Sequence, residues 1–125
     1  MQPQPLLVVS DVEATARWLS DVFELTSGHG GAEYDAIMNG DTVVAQLHVW
    51  DAHGHEQLGD PTIASRGNGV LIWFETGGAR YDRILENVRT HSVEILDGPL
   101  TKPNSGLREV WLRGPEGYRF VVAAP

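Results

Sequence analysis

The sequence contains no cysteine. That excludes disulfides, thiolate metal sites and cysteine nucleophiles. Positive charge is scarce as well: 9 Lys and Arg stand against 17 Asp and Glu, a formal net charge of −8 with the histidines neutral. Such a chain repels a polyanion on average and has no Lys/Arg cluster to offset this, so nucleic acid is not expected as a partner. No apolar run approaches the roughly twenty residues needed to cross a bilayer, so no membrane partner is expected either. The opening Met-Gln-Pro-Gln-Pro lacks the basic start and apolar stretch of a signal peptide. The resulting expectation for localisation is the cytoplasm.

What is present is ordinary globular composition, with 42% hydrophobic and 21% charged residues. A chain of 125 residues has room for one domain with one core, or for two small units sharing one. The patterning points to the second arrangement inside a single domain, 1–125.

Leu6-Leu7-Val8-Val9 reads as a strand, and Ser10 with Glu13 three residues on fits a capping box. A helix follows to about Phe23, with Val12, Ala16, Leu19, Val22 and Phe23 on one face and Trp18 beside them. After a glycine-rich exit at 28–31 come Tyr34 to Met38, an Asn39-Gly40 turn, and Thr42 to Trp50. Asn-Gly between two alternating apolar runs is a strong hairpin signal. Residues 51–68 carry Gly and Pro with little periodicity and read as a linker.

The pattern then restarts. Val70 to Glu75 is a strand, Thr76-Gly77-Gly78 opens a helix, and Tyr81, Ile84, Leu85 and Val88 form its apolar face. Val93 to Leu96 is a short strand, and Asp97 to Gly106 a proline-containing loop. Arg108 to Leu112 and Tyr118 to Val122 then make a second hairpin around Gly114-Pro115-Glu116-Gly117. Both halves therefore read strand, helix, short strand, hairpin, as modules of about 4–57 and 68–125. The predicted fold class is α+β: tandem β-α-β-β-β modules forming a curved mixed sheet around a cavity, with helices on the outer face.

Val9-Ser10-Asp11-Val12-Glu13-Ala14-Thr15-Ala16-Arg17-Trp18-Leu19 resembles the strand-to-helix opening of the glyoxalase and bleomycin-resistance proteins, the vicinal-oxygen-chelate superfamily. Gly114-Pro115-Glu116-Gly117-Tyr118-Arg119-Phe120-Val121 resembles the closing hairpin of the same superfamily. With the repeat, the resemblance spans nearly the whole chain. It implies a homodimer and, in metal-dependent members, a divalent ion held by up to four side chains. These lie on the first and last strand of each module. The corresponding positions here are Gln4, Gln46, Leu71 and Val121. Leu71 and Val121 offer no lone pair, and the two glutamines offer only neutral amide oxygens, poor donors beside imidazole or carboxylate. No metal or other cofactor is therefore expected at that site, and the chain resembles the metal-free bleomycin-resistance branch most.

If Gln46 and Val121 face a cavity, period-two alternation adds His48 and Trp50 on one strand and Arg119 on another. If Leu71 faces it, Trp73 and Glu75 do too. Trp111 shares a parity with Glu109, and the face which that parity serves is open. Such a lining would hold an aromatic or cationic small molecule, with Glu75 and Arg119 fixing its orientation. The same tryptophans would also serve as ordinary core filling.

His53 and His55, with Glu56 or Asp51, have metal-ligand chemistry but sit in the glycine-rich linker, where a solvated loop is the plainer reading. His29 and His91 read as surface residues. No nucleophile elbow and no Gly-x-Gly-x-x-Gly turn occurs. Three function classes follow: a metal-independent small-molecule-binding protein with a role in antibiotic resistance, an enzyme using a displaced metal or acid/base chemistry by Glu75 with His48, and an accessory subunit. Lyase, isomerase and dioxygenase-like reactions fall under the second.

Overall fold

The computed structural model describes residues 1–50, 59, 62, 67 and 69–125. The chain divides into two units, Met1–Ala64 and Ser65–Pro125. Each contains one β-α-β-β-β module with its own four-stranded mixed sheet. No helix of the described residues is long and apolar enough to cross a membrane.

In the first unit, β1 (Leu6–Val9) leads into α1 (Val12–Phe23), followed by β2 (Thr26–Ser27), β3 (Tyr34–Asn39) and β4 (Thr42–Val49). The sheet order is β1-β4-β3-β2, with β1 parallel to β4 and the other pairs antiparallel. Val12, Thr15, Leu19, Val22 and Phe23 are the buried residues of α1, and they cover Leu7, Val9, Ile37, Ala45 and Leu47, all nearly inaccessible. Thr15 thus takes the central position expected of Ala16, which is only half-buried.

The helix cap also differs from expectation. Asp11, not Ser10, is the N-cap: its side chain accepts from the Ala14 amide at 2.9 Å and its carbonyl from the Thr15 amide at 3.1 Å. The cap must lie immediately before the first helical residue, which is Val12. A carboxylate there also meets the positive end of the helix. The β3–β4 turn is displaced by one residue. Asn39 pairs with Thr42, so the two-residue loop is Gly40-Asp41, and Gly40 supplies the positive φ (59°) that the turn demands. A bulge follows between Ile37 and Met38 in the ladder, so the open-face parity holds only from Ile37 towards Tyr34.

In the second unit, β5 (Leu71–Glu75), α2 (Gly78–Thr90), β6 (Ile95–Thr101), β7 (Arg108–Arg113) and β8 (Arg119–Ala124) repeat the pattern, with sheet order β5-β8-β7-β6. A single 3₁₀ turn at Pro115–Gly117 joins the last two strands. Tyr81, Ile84 and Val88 of α2 are buried, on the side of the sheet that carries Ile72, Val110, Leu112, Phe120 and Val122. Leu85 is half-buried. The proline-containing stretch after Leu96 is not a loop at first: β6 runs on through Gly98-Pro99 to Thr101, with register shifts on the way. Proline lacks a ladder donor, and an edge strand with bulges is where a sheet tolerates it.

Candidate functional site

Each sheet has one face under its helix and one face away from it, and the register says which side chains share the second. In the first unit, Leu6 pairs with Gln46 and Val8 with His48, while Ala36 and Tyr34 lie across from the same two residues. The Gln46 amide is hydrogen-bonded at both ends. Its oxygen accepts from the Tyr34 hydroxyl at 2.8 Å, and its nitrogen donates to the Gln4 carbonyl at 3.2 Å. The Tyr34 ring stands edge-on to both His29 and His48. Trp50 lies just beyond the end of β4 and is half-buried.

The second sheet is more distinctive. Leu71, Arg119 and Arg113 form one row across β5, β8 and β7; Trp73, Val121 and Trp111 form the next; Glu75, Ala123 and Glu109 form the third. Paired residues in a sheet project to the same side. Trp111 therefore joins Trp73, Glu75 and Arg119 on the face away from α2, which decides the parity left open by sequence. Trp73 and Leu71 are 44% and 42% exposed, whereas Val121 between the two tryptophan positions is completely buried.

Trp111 is held in place from two sides. Its indole N–H donates to Glu109 Oε2 at 3.0 Å, and the Lys102 ammonium stands 5.9 Å from the ring centroid. Glu109 is itself buried, and its other oxygen accepts from the Ser105 hydroxyl at 3.2 Å. Lys102 also binds Asp97 at 2.6 Å, and this hydrogen bond, more than the ammonium's charge, keeps the Asp97 carboxyl below its ordinary range. A cavity of about 850 Å³ opens here, lined by Leu71, Leu96, Asp97, Trp111, Arg113 and Arg119 among others.

Three of the residues singled out from sequence, Leu71, Trp111 and Arg119, thus share one cavity, with Trp73 and Glu75 on the same sheet face. Gln46 and His48 lie in the other unit. His53, His55, Glu56 and Asp51 lie outside the described residues. Sequence reasoning missed Arg113 and Lys102. Arg113 follows Trp111 by two residues, so parity alone would have found it; Lys102 reaches Trp111 only because β6 extends further than its proline suggested.

A smaller cavity of about 350 Å³ in the first unit is bordered by Glu13, Arg17, Ser20, Ser27 and Asp35. Asp35 is buried and already committed. It accepts from the Ser27 hydroxyl at 2.6 Å and from the backbone amides of Gly30 and His29 at 2.7 and 3.1 Å. Burial alone would raise its pKa, but these donors and the Ala36 amide outweigh that and hold it below the usual carboxylate value.

The model of the Glyoxalase/Bleomycin resistance protein/Dioxygenase superfamily matches residues 2–122. The chain belongs to this superfamily. Solved structures agree in fold. A structure from the mobile metagenome of V. Pseudocholerae has a TM-score of 0.71 at 21% identity, over 99% of this chain and 93% of that one. The fosfomycin resistance protein FosX from Mesorhizobium Loti has a TM-score of 0.69 at 17% identity, over 100% and 92%. FosX from Listeria monocytogenes, in a structure with Mn(II) and sulfate, has a TM-score of 0.71 at 14% identity, over 99% and 89%. No curated protein matches the chain.

The superfamily's metal positions can now be set against geometry. Leu71 pairs with Arg119, so Val121 lies two residues further along β8; Leu6 pairs with Gln46, so Gln4 stands in the same relation to Gln46. The donor set does not fit a divalent ion. Val121 is apolar and buried, Leu71 is apolar, and Gln46 offers only a neutral amide oxygen that already accepts from Tyr34. Among the described residues, no three His, Asp or Glu side chains come together as a metal would require.

Proposed function

We propose that this member of the superfamily is a metal-independent binding protein that takes a small planar aromatic molecule on the open face of its second sheet. The observation that carries the reading is the row Trp73–Val121–Trp111. Where the resemblance would put a metal-binding carboxylate, the chain has a buried valine with an indole-bearing position on each side. Two aromatic faces one strand apart on either side of an apolar floor suit a flat ring. The cavity beside them is in the size range of small-molecule sites. Indole faces also attract cations, the other ligand class expected from sequence.

Sequestration of a toxic compound by a homodimer is the setting we propose. The superfamily includes bleomycin resistance proteins, and two similar structures are fosfomycin resistance proteins. A catalytic reading has one observation behind it: Glu75 and Glu109 flank Ala123 in a single row. Both Glu109 oxygens accept hydrogen bonds, which leaves Glu75 as the available base of that row and makes binding the better supported function.

The test joins metal analysis to ligand titration. Protein purified without a chelator or affinity tag is expected to carry no stoichiometric Mn, Fe, Ni or Zn. Its tryptophan fluorescence is expected to change on addition of planar bicyclic compounds, and the change should be lost in Trp73→Ala/Trp111→Ala. One tightly held ion per chain, or a panel of planar compounds that leaves the emission untouched, would overturn the reading.

A further inference from the structure

The chain as a whole is acidic, yet the charge within the second unit's cavity runs the other way. Three charged side chains line it: Asp97, Arg113 and Arg119. Asp97 is neutralised by Lys102 at 2.6 Å, and Arg113 by Glu94 at 3.0 Å. Arg119 remains. It is half-buried, and its guanidinium has no hydrogen-bonded or ion-pair partner among the described residues.

A half-buried guanidinium without a counter-charge has lost part of its hydration and gained nothing in return, a cost that natural sites recover by binding an anion. Its planar fork suits a carboxylate or a comparable oxyanion. Arg119 is also diagonal to Trp111, since Arg113 pairs with Arg119 and Trp111 with Val121. Diagonal neighbours on a sheet face are within reach of long side chains. An anionic group on Arg119 would therefore belong to a molecule whose ring lies against the indole. Trp111 is fixed for this by Glu109 and Lys102.

We infer that the ligand is an aromatic acid: a planar ring carrying a carboxylate or similar oxyanion, with Arg119 as its anchor. The inference rests on the proposed aromatic site and decides the ligand's charge, against the cationic class that the net charge of −8 suggests. The net charge is a property of the whole surface, whereas the ligand meets only the local field.

Three probes of one shape separate the possibilities: 2-naphthoate, the neutral 2-naphthamide and the cationic 2-naphthylmethylammonium, each titrated by calorimetry into the intact protein. The acid is expected to bind about 10-fold or more tighter than the amide, and the ammonium weakest. Arg119→Ala should weaken naphthoate about 10- to 100-fold and leave the amide within about threefold, while Arg119→Lys should recover part of the loss. Equal binding of acid and amide would overturn the aromatic-acid inference and leave the aromatic site standing. Preference for the ammonium would overturn it in favour of a cationic ligand. Failure of all three probes would remove the aromatic site and the inference with it. Sedimentation run in parallel covers the remaining occupant: a dimer broken by Arg119→Ala and unresponsive to naphthoate would mean that a second copy covers this face.

Discussion

Replacing Asp35 tests how the first unit is held together. The buried carboxylate organises the glycine-rich segment after β2, receiving the Ser27 hydroxyl and the amides of His29 and Gly30. Bonds to a charged acceptor contribute about 1.5–3 kcal/mol each where the donors stay buried. Here Ser27, His29 and Gly30 are all exposed and rehydrate once released. Asp35→Ala should therefore cost about 2–4 kcal/mol rather than the full sum of three bonds. Asp35→Asn keeps the shape and loses charge assistance, at a cost of about 1–2 kcal/mol.

The pH dependence follows in sign. Asp35 has a folded-state pKa below its ordinary value of 3.8, so its contribution is complete above that value and lost as pH falls through the folded pKa. Urea unfolding followed by far-UV circular dichroism should show a constant gap between wild type and Asp35→Asn from near pH 7 down to about pH 5. The gap should narrow below that and close once the native carboxylate is protonated. A gap that is the same at about pH 3 as near pH 7, or an Asp35→Ala variant within about 0.5 kcal/mol of wild type, would refute the reasoning.

Gly98 has φ of +82°, and a Cβ there would sit 2.5 Å from the Glu109 carbonyl oxygen. Gly98→Ala should cost about 2 kcal/mol or more in unfolding experiments and also shift Trp111 emission, because Glu109 holds that indole. Asp11→Ala removes the α1 cap and should lower stability by about 0.5–2 kcal/mol, read as a lower urea midpoint at unchanged slope.

The architecture follows from residue patterning alone. Period 3.6 in Val12–Phe23 and Tyr81–Val88, and period 2 in the strands, are imposed by backbone geometry, so the doubled β-α-β-β-β pattern was legible without coordinates. The same periodicity placed Trp73 with Glu75 and Val121 with Arg119 on shared faces. The family resemblance singled out Leu71 and Val121, and their lack of a lone pair is a fact of side-chain chemistry that folding leaves unchanged.

Relations between strands came only with the folded chain. Parity groups Trp111 with Glu109, but only the pairing of β7 with β8 says which side of the sheet they share, because a one-residue slip would send the whole set to the other face. The cap moved from Ser10 to Asp11, and β6 ran past Pro99, because neighbouring elements fix where helices begin and where an edge strand stays paired. The uncompensated charge of Arg119 is the clearest case. A sequence counts charges, and the chain counts as acidic; which of them cancel depends on Lys102 meeting Asp97 and Glu94 meeting Arg113, contacts made only when the chain folds back on itself.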